Sequence, residues 1–242
     1  MNALRRARLY HAHHRTYTED LPFWVETASR YPPPVLELGC GTGRVFRALR
    51  EAGRSAFGVD LSPEMLRVLR EEMTPEGEAV PVFRGDARSL GVAAASLGLV
   101  IFPCNTFSTF DVSGRAVLLG EIHRVLRPEG GFVFSAPNPL LLQEIPPQGG
   151  LRLEMTLPDP AGGEMRVFSA WERAGTRFTI RWVYETERDR CACATTHLLE
   201  PPERTLKALR TAGFAIVSLY GDFAGGHFEP SAPYLVVEAR KC

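Results

Sequence analysis

Apolar and polar positions alternate along this chain with two different periods, and the change of period divides it. Over 19–30 the apolar residues recur at helical spacing, Pro22 is tolerated in a first turn, and Tyr31-Pro32-Pro33-Pro34 ends the helix. Short apolar runs at 35–38, 55–59, 80–83, 97–102 and 131–135 read as buried strands, separated by helical stretches at 44–52, 63–72 and 114–126. Strands alternating with helices predict a parallel sheet covered on both faces. Beyond Pro137 the period drops to two. Residues 151–157, 164–173, 177–187 and 191–199 alternate apolar with polar, and Gly162-Gly163 and Ala174-Gly175-Thr176 supply hairpin turns between some of them. A helix at 201–212 and strands at 215–220 and 234–239 then return to the main sheet. The expected fold class is α/β: a doubly wound, mostly parallel seven-stranded sheet with an antiparallel β insertion.

Composition narrows the function classes. A chain of 242 residues with 45% hydrophobic content can bury one large α/β core and an elaboration. Its formal net charge of +0 provides no global basic field to recruit nucleic acid or a membrane surface. No apolar run approaches the ~18–20 residues of a membrane span, and Leu4-Arg5-Arg6-Ala7-Arg8 lacks the apolar segment of a signal peptide. A soluble, cytoplasmic protein is expected. Cys40, Cys104, Cys191, Cys193 and Cys242 are odd in number and scattered, which suits a reducing compartment. Cys191-Ala-Cys193 has the wrong spacing for a zinc knuckle, so no metal site is expected.

The candidate chemistry lies in Val35-Leu36-Glu37-Leu38-Gly39-Cys40-Gly41-Thr42-Gly43-Arg44. An apolar strand that breaks into alternating glycines and resumes as a helix forms a tight turn whose backbone approaches a ligand closely. The dinucleotide pattern G-x-G-x-x-G requires glycine where this chain has Arg44, which weakens an NAD reading. Asp60 follows about 20 residues later at the end of the next strand, where a carboxylate can accept hydrogen bonds from both hydroxyls of a ribose.

Four segments in order, Glu37–Gly43, Gly58-Val-Asp-Leu-Ser-Pro-Glu-Met65, Gly85-Asp86-Ala87 and Arg124-Val-Leu-Arg-Pro-Glu-Gly-Gly131, make residues 34–136 similar to the class I S-adenosylmethionine-dependent methyltransferases. The resemblance implies a Rossmann-like methyltransferase fold with S-adenosyl-L-methionine as cofactor. It places Gly39 and Gly41 beside the methionine portion, Asp60 on the ribose, Leu61 against the adenine and Asp86 with Ala87 at the adenine edge. Pro103 and Cys104 would close the pocket, and Glu37, Cys40 and Met65 join the same cofactor-binding set. Relatives fold an N-terminal segment over the cofactor and place a tyrosine near the sulfonium; Tyr17 and Tyr10 are the candidates. On this reading residues 1–33 form an N-terminal helical lid and 34–137 the cofactor-binding core. Residues 138–200 are the antiparallel insertion, a substrate cover or dimer surface, and 201–242 complete the core sheet.

The implied reaction is in-line methyl transfer to an unidentified small-molecule acceptor through a nitrogen or oxygen nucleophile. An amine acceptor must arrive uncharged. No base is identifiable; Asn105 and Tyr17 are the catalytic candidates, and asparagine at such a place also caps turns. Pro103-Cys104 resembles the nucleophile loop of cytosine-C5 methyltransferases, but their Glu-Asn-Val tripeptide is missing here. His11, His13 and His14 lack carboxylate or thiol partners in the sequence and are expected to sit solvated. The rival readings are an RNA or protein methyltransferase using Arg177, Arg181, Arg188 and Arg190, and an NAD-dependent oxidoreductase. The chain is expected to act as a monomer or homodimer, without membrane or nucleic-acid partners.

Overall fold

A computed structural model describes residues 2–73 and 79–242. Helix α1 (Ala3–His14) is capped by the Asn2 side chain, which accepts from Arg5 N, and α2 (Leu21–Arg30) carries proline in its first turn. The alternating part follows as β1 (Val35–Leu38), α3 (Arg44–Glu51), β2 (Ala56–Asp60), α4 (Pro63–Met73), β3 (Val82–Arg84) and β4 (Leu97–Phe102). A 3₁₀ turn (Thr106–Thr109), α5 (Val112–Val125), β5 (Leu126–Pro137) and α6 (Pro139–Glu144) lead to four long strands. These are β6 (Gln148–Pro158), β7 (Glu164–Ala174), β8 (Arg177–Thr186) and β9 (Arg190–Leu198). The chain closes with α7 (Pro202–Thr211), β10 (Phe214–Tyr220) and β11 (Tyr234–Lys241).

The main sheet has seven strands in the order β10-β11-β5-β4-β1-β2-β3. β11 runs antiparallel to both β10 and β5, and the other pairings are parallel. The expected fold class is therefore the observed one. Alternation along the strands divides the interior between the two faces. Leu36, Leu38, Val100, Phe102, Phe132 and Phe134 pack on one side under α5 and α7, and Val35, Leu99, Ile101 and Val133 on the other with Trp24, Phe46 and Leu69. The strand order reverses between β1 and β4, which opens a crevice at their carboxyl ends.

The second sheet, β6-β7-β8-β9, is wholly antiparallel. One of its faces meets α1, where Leu9 packs on Met165, Val167 and Tyr184. Two strand starts and one helix differ most from the sequence expectation. β5 begins five residues earlier than 131, because the chain stays extended through Arg127-Pro128 and Glu129 takes a left-handed φ of 63°. β6 begins at Gln148, before the apolar alternation starts, because Gly149 lets the Trp171 ring lie against the backbone. The helix α6 was not expected, since six residues are too few for a 3.6-residue period to show; Asn138 caps it by accepting from Leu140 N. Among the described residues no helix is long and apolar enough to cross a membrane.

Candidate active site

The site begins where β1 ends. Gly39, Gly41 and Gly43 all take left-handed φ values of 63°, 53° and 88°, so three reversals fit between Leu38 and the start of α3. At Gly43 a Cβ would also lie 2.7 Å from Leu69 Cγ. Asp60, at the end of β2, fixes this turn: its Oδ2 accepts from Gly41 N at 2.9 Å, and its Oδ1 accepts from Ser62 N at 2.8 Å. Each carboxylate oxygen keeps a lone pair for another donor. Glu37 lies on β1 just behind the turn and is 3% exposed; its Oε2 has no hydrogen-bond partner among the described residues. Burial lifts the Glu37 carboxyl well above the ordinary range, with Asp20 and Asp60 adding to the effect and Arg44 opposing it.

Above the turn lies a cavity of about 200 Å³. Glu37, Gly39, Cys40 and Gly41 form its floor, Tyr10 and His14 of α1 its roof, and Cys104, Thr106 and Thr109 its far wall, with Thr195 reaching in from β9. Tyr10 also borders a second, mostly apolar cavity of about 230 Å³ that holds Met65, Tyr184, Cys191 and Cys193. His14 stacks on Tyr10 with ring centroids 3.6 Å apart. His14 Nδ1 lies 3.1 Å from the Tyr10 carbonyl, so it must carry the proton and leave Nε2 as a lone-pair acceptor. Burial, with the neighbouring His13, pushes the His14 pKa down to about 3.

The structure brings Glu37, Gly39, Cys40, Gly41 and Cys104 to this cavity, with Asp60 braced against its floor. Leu61 is 62% exposed on the turn after β2. Asp86 is engaged by Arg88, whose Nη2 donates to Oδ2 at 2.7 Å, and Ala87 packs against the main core. Pro103 is buried where β4 ends, and Cys104 and Asn105 follow with left-handed φ values of 58° and 59°. Asn105 N donates to Ser135 Oγ at 3.2 Å, and its buried Oδ1 has no partner among the described residues. Tyr17 lies outside the cavity lining. Its carbonyl accepts from Arg44 Nη1 at 2.9 Å, and its hydroxyl lies 3.4 Å from that of Tyr234.

One expectation is corrected. His11 and His13 are buried, at 9% and 6% exposure, and His14 is half-buried; none is solvated. The cause is tertiary: α4 brings Glu72 to within 3.4 Å of His11 Nε2, while β8 covers His13, whose Nδ1 meets Tyr184 Oη at 3.2 Å and whose ring lies edge-on 4.6 Å from Trp182. Sequence reasoning also missed Arg44, Asp20, Thr109 and Thr195. For Arg44 a signal existed, since it stands one residue past the last glycine of the turn; Thr195, on a strand of the second sheet, gave none. Among the described residues no group of three or more His, Cys, Asp or Glu side chains could hold a metal ion.

Known proteins resemble this chain in sequence and in fold. The model of a family described as methyltransferase domain matches residues 35–130. The malonyl-[acyl-carrier protein] O-methyltransferase of Pectobacterium atrosepticum is 30% identical over 208 residues, covering 85% of this chain and 70% of that protein. The cypemycin N-terminal methyltransferase of a Streptomyces species is 29% identical over 217 residues, 86% of this chain and 83% of that one. Other curated relatives align over 40–50% of their own length, so the chain spans about half of those proteins. Among solved structures, an S-adenosylmethionine-dependent methyltransferase from Clostridium acetobutylicum superposes with a TM-score of 0.81 at 15% identity, over 98% of this chain and 97% of that one.

Proposed function

Since this chain belongs to the class I S-adenosylmethionine-dependent methyltransferases, we propose that it methylates a nitrogen or oxygen nucleophile on a small, uncharged acceptor. The observation that carries this reading is the buried, unpartnered Glu37 Oε2 facing a glycine turn that Asp60 braces from the next strand. An orphaned carboxylate oxygen in such a place requires a donor from a ligand, and an α-ammonium is one. The residues present therefore fit S-adenosylmethionine. Bound there, it would supply an activated methyl group on a sulfonium.

In this proposal Glu37 takes the ammonium, the Gly39–Gly41 backbone lies along the methionine portion, and Asp60 accepts from the ribose hydroxyls. Leu61 and Met65 offer apolar surface to the adenine, Asp86 and Ala87 its polar edge, and Cys40, Pro103 and Cys104 complete the wall. Tyr10, which lines the cavity, is a better candidate than Tyr17 for the aromatic group near the sulfonium. The acceptor would enter along Thr106, Thr109 and Thr195. Among the described residues no carboxylate lines that side of the cavity, which supports an acceptor without a positive charge. His14 Nε2 would accept its N–H or O–H and so direct the nucleophile's lone pair; Asn105 supports the loop from beneath. The 1–33 lid, the 34–137 core, the 138–200 cover and the closing 201–242 segment divide the work accordingly. A cytoplasmic location, which the free thiols support, and a monomer or homodimer belong to the same proposal.

The deciding experiment is calorimetric titration with S-adenosylmethionine, S-adenosylhomocysteine and NAD in parallel. Micromolar binding of the first two and none of NAD is expected; NAD binding alone would replace the reading with hydride transfer.

A further inference from the structure

The second sheet carries a pair of thiols that methyl transfer does not use. Cys191 and Cys193 stand two residues apart on β9, opposite Tyr184 and Trp182 of β8, so both side chains leave the strand on the face that meets α1. Both line the mostly apolar cavity of about 230 Å³ that shares Tyr10 with the cavity over the glycine turn. Met65 of α4 lines the same space from the core side. The polar groups beside it are engaged: Ser62 Oγ donates to Glu64 Oε2 at 3.0 Å and accepts from Met65 N at 3.2 Å. Among the described residues no third thiol, imidazole or carboxylate completes a set for a harder ion. Strand rise puts the two cysteine Cα atoms about 6.5–7 Å apart, a span that two Cβ–Sγ arms can close around an ion whose bonds to sulfur are about 2.3 Å long. Burial raises the pKa of both thiols, and Arg6, also in the lining, is among the groups that oppose it. The Arg6 guanidinium has no hydrogen-bond or ion-pair partner among the described residues.

We propose that Cys191, Cys193 and Met65 form a binding site for a soft monovalent cation, the cuprous ion, between the second sheet and the core. Thiolate and thioether sulfur are the donors such an ion selects, and an apolar cavity without a carboxylate cluster offers a hydrated hard cation little to coordinate. Binding forms two bonds from copper to thiolate and one to thioether, and it releases the two thiol protons to solvent with no change of oxidation state. The cuprous charge and the Arg6 guanidinium together balance two thiolates, so the filled site is neutral where a net charge would be costly. Met65 serves both of its neighbours, with its sulfur turned to the ion and its methylenes to the adenine. Because the donors come from β9 and α4, the ion ties the cover to the core beside α1. Nothing in the site depends on a bound cofactor.

The test is anaerobic titration of the full, reduced chain with cuprous ion in competition with bicinchoninate. The unaltered protein is expected to withdraw a single ion per chain from the chelator. Cys191→Ser and Cys193→Ser should each weaken binding about a hundredfold or more and Met65→Leu about tenfold, while Cys242→Ser, at an exposed thiol outside the cavity, stays within about twofold. Filling the site should raise the melting temperature of the unaltered chain and leave that of Cys193→Ser where it was. Should the variants fail to fold, X-ray absorption at the copper edge on the unaltered chain decides: nearest neighbours that are all sulfur are expected, and nitrogen or oxygen neighbours overturn the site. No withdrawal of copper from bicinchoninate, or an affinity that replacing Cys191, Cys193 or Met65 leaves unchanged, overturns it as well.

Discussion

At the scale of single residues the site depends on two carboxylates in opposite states. Asp60 is satisfied by two backbone N–H groups and holds the turn in place. Asp60→Ala is expected to weaken S-adenosylhomocysteine binding by about 2 kcal/mol or more in a chain that still folds, measured by calorimetry alongside circular dichroism. Unchanged affinity in a folded variant would remove the ribose role. Glu37 is buried without a partner, and its pKa lies well above the ordinary 4.5. In the window between the ordinary and the raised value the empty site keeps a proton that a bound ammonium displaces. Affinity should therefore rise with pH through that window, and binding should release a proton. Titrations in two buffers of different ionisation enthalpy read this directly; identical heats would sink it.

At the scale of elements, α1 is held by partners distant in sequence. Arg5 donates through both terminal nitrogens to Asp159, at 2.5 and 2.6 Å, and the Asp159 side chain is 1% exposed. Arg8 pairs with Glu71 of α4, and Leu9 is fully buried against the second sheet. The helix is thus clamped between the core and the insertion, over the cavity it roofs. Arg5→Ala should leave Asp159 buried without its cation and accelerate amide exchange in Ala3–His14 about tenfold or more, while β1 and β4 exchange as before. Exchange that changes equally throughout would mean that α1 is not a separate cover.

For the whole molecule, the histidines buried between cover and core set the response to acid. Burial holds His13 and His197 down at about 4 and His14 at about 3, against an ordinary value of 6.5. His197 on β9 meets Ser108 Oγ at 2.8 Å and so ties the second sheet to the loop after β4. The unfolded chain protonates these rings first as pH falls, so stability should decline from about pH 6.5 towards 4, by up to about 1.4 kcal/mol per pH unit for each histidine. Glu37 works in the opposite direction, since its proton stabilises the folded state. Melting temperatures measured from pH 7.5 to 4 check the balance, and a flat profile would show that these rings are not neutral in the fold. The histidines also mark the limit of what the sequence could reveal. Sequence by itself determined the alternating sheet, the antiparallel insertion, the glycine turn and the positions of Glu37 and Asp60. Each of these rests on local periodicity, or on a backbone conformation that only particular residues adopt. Only the tertiary structure decided that Tyr10 and His14 roof the cavity, that Thr195 reaches it from β9, and that Arg44 joins Asp20 to Cys104. Those contacts join segments far apart in the chain, and no period or spacing along a sequence records which surfaces a fold will press together.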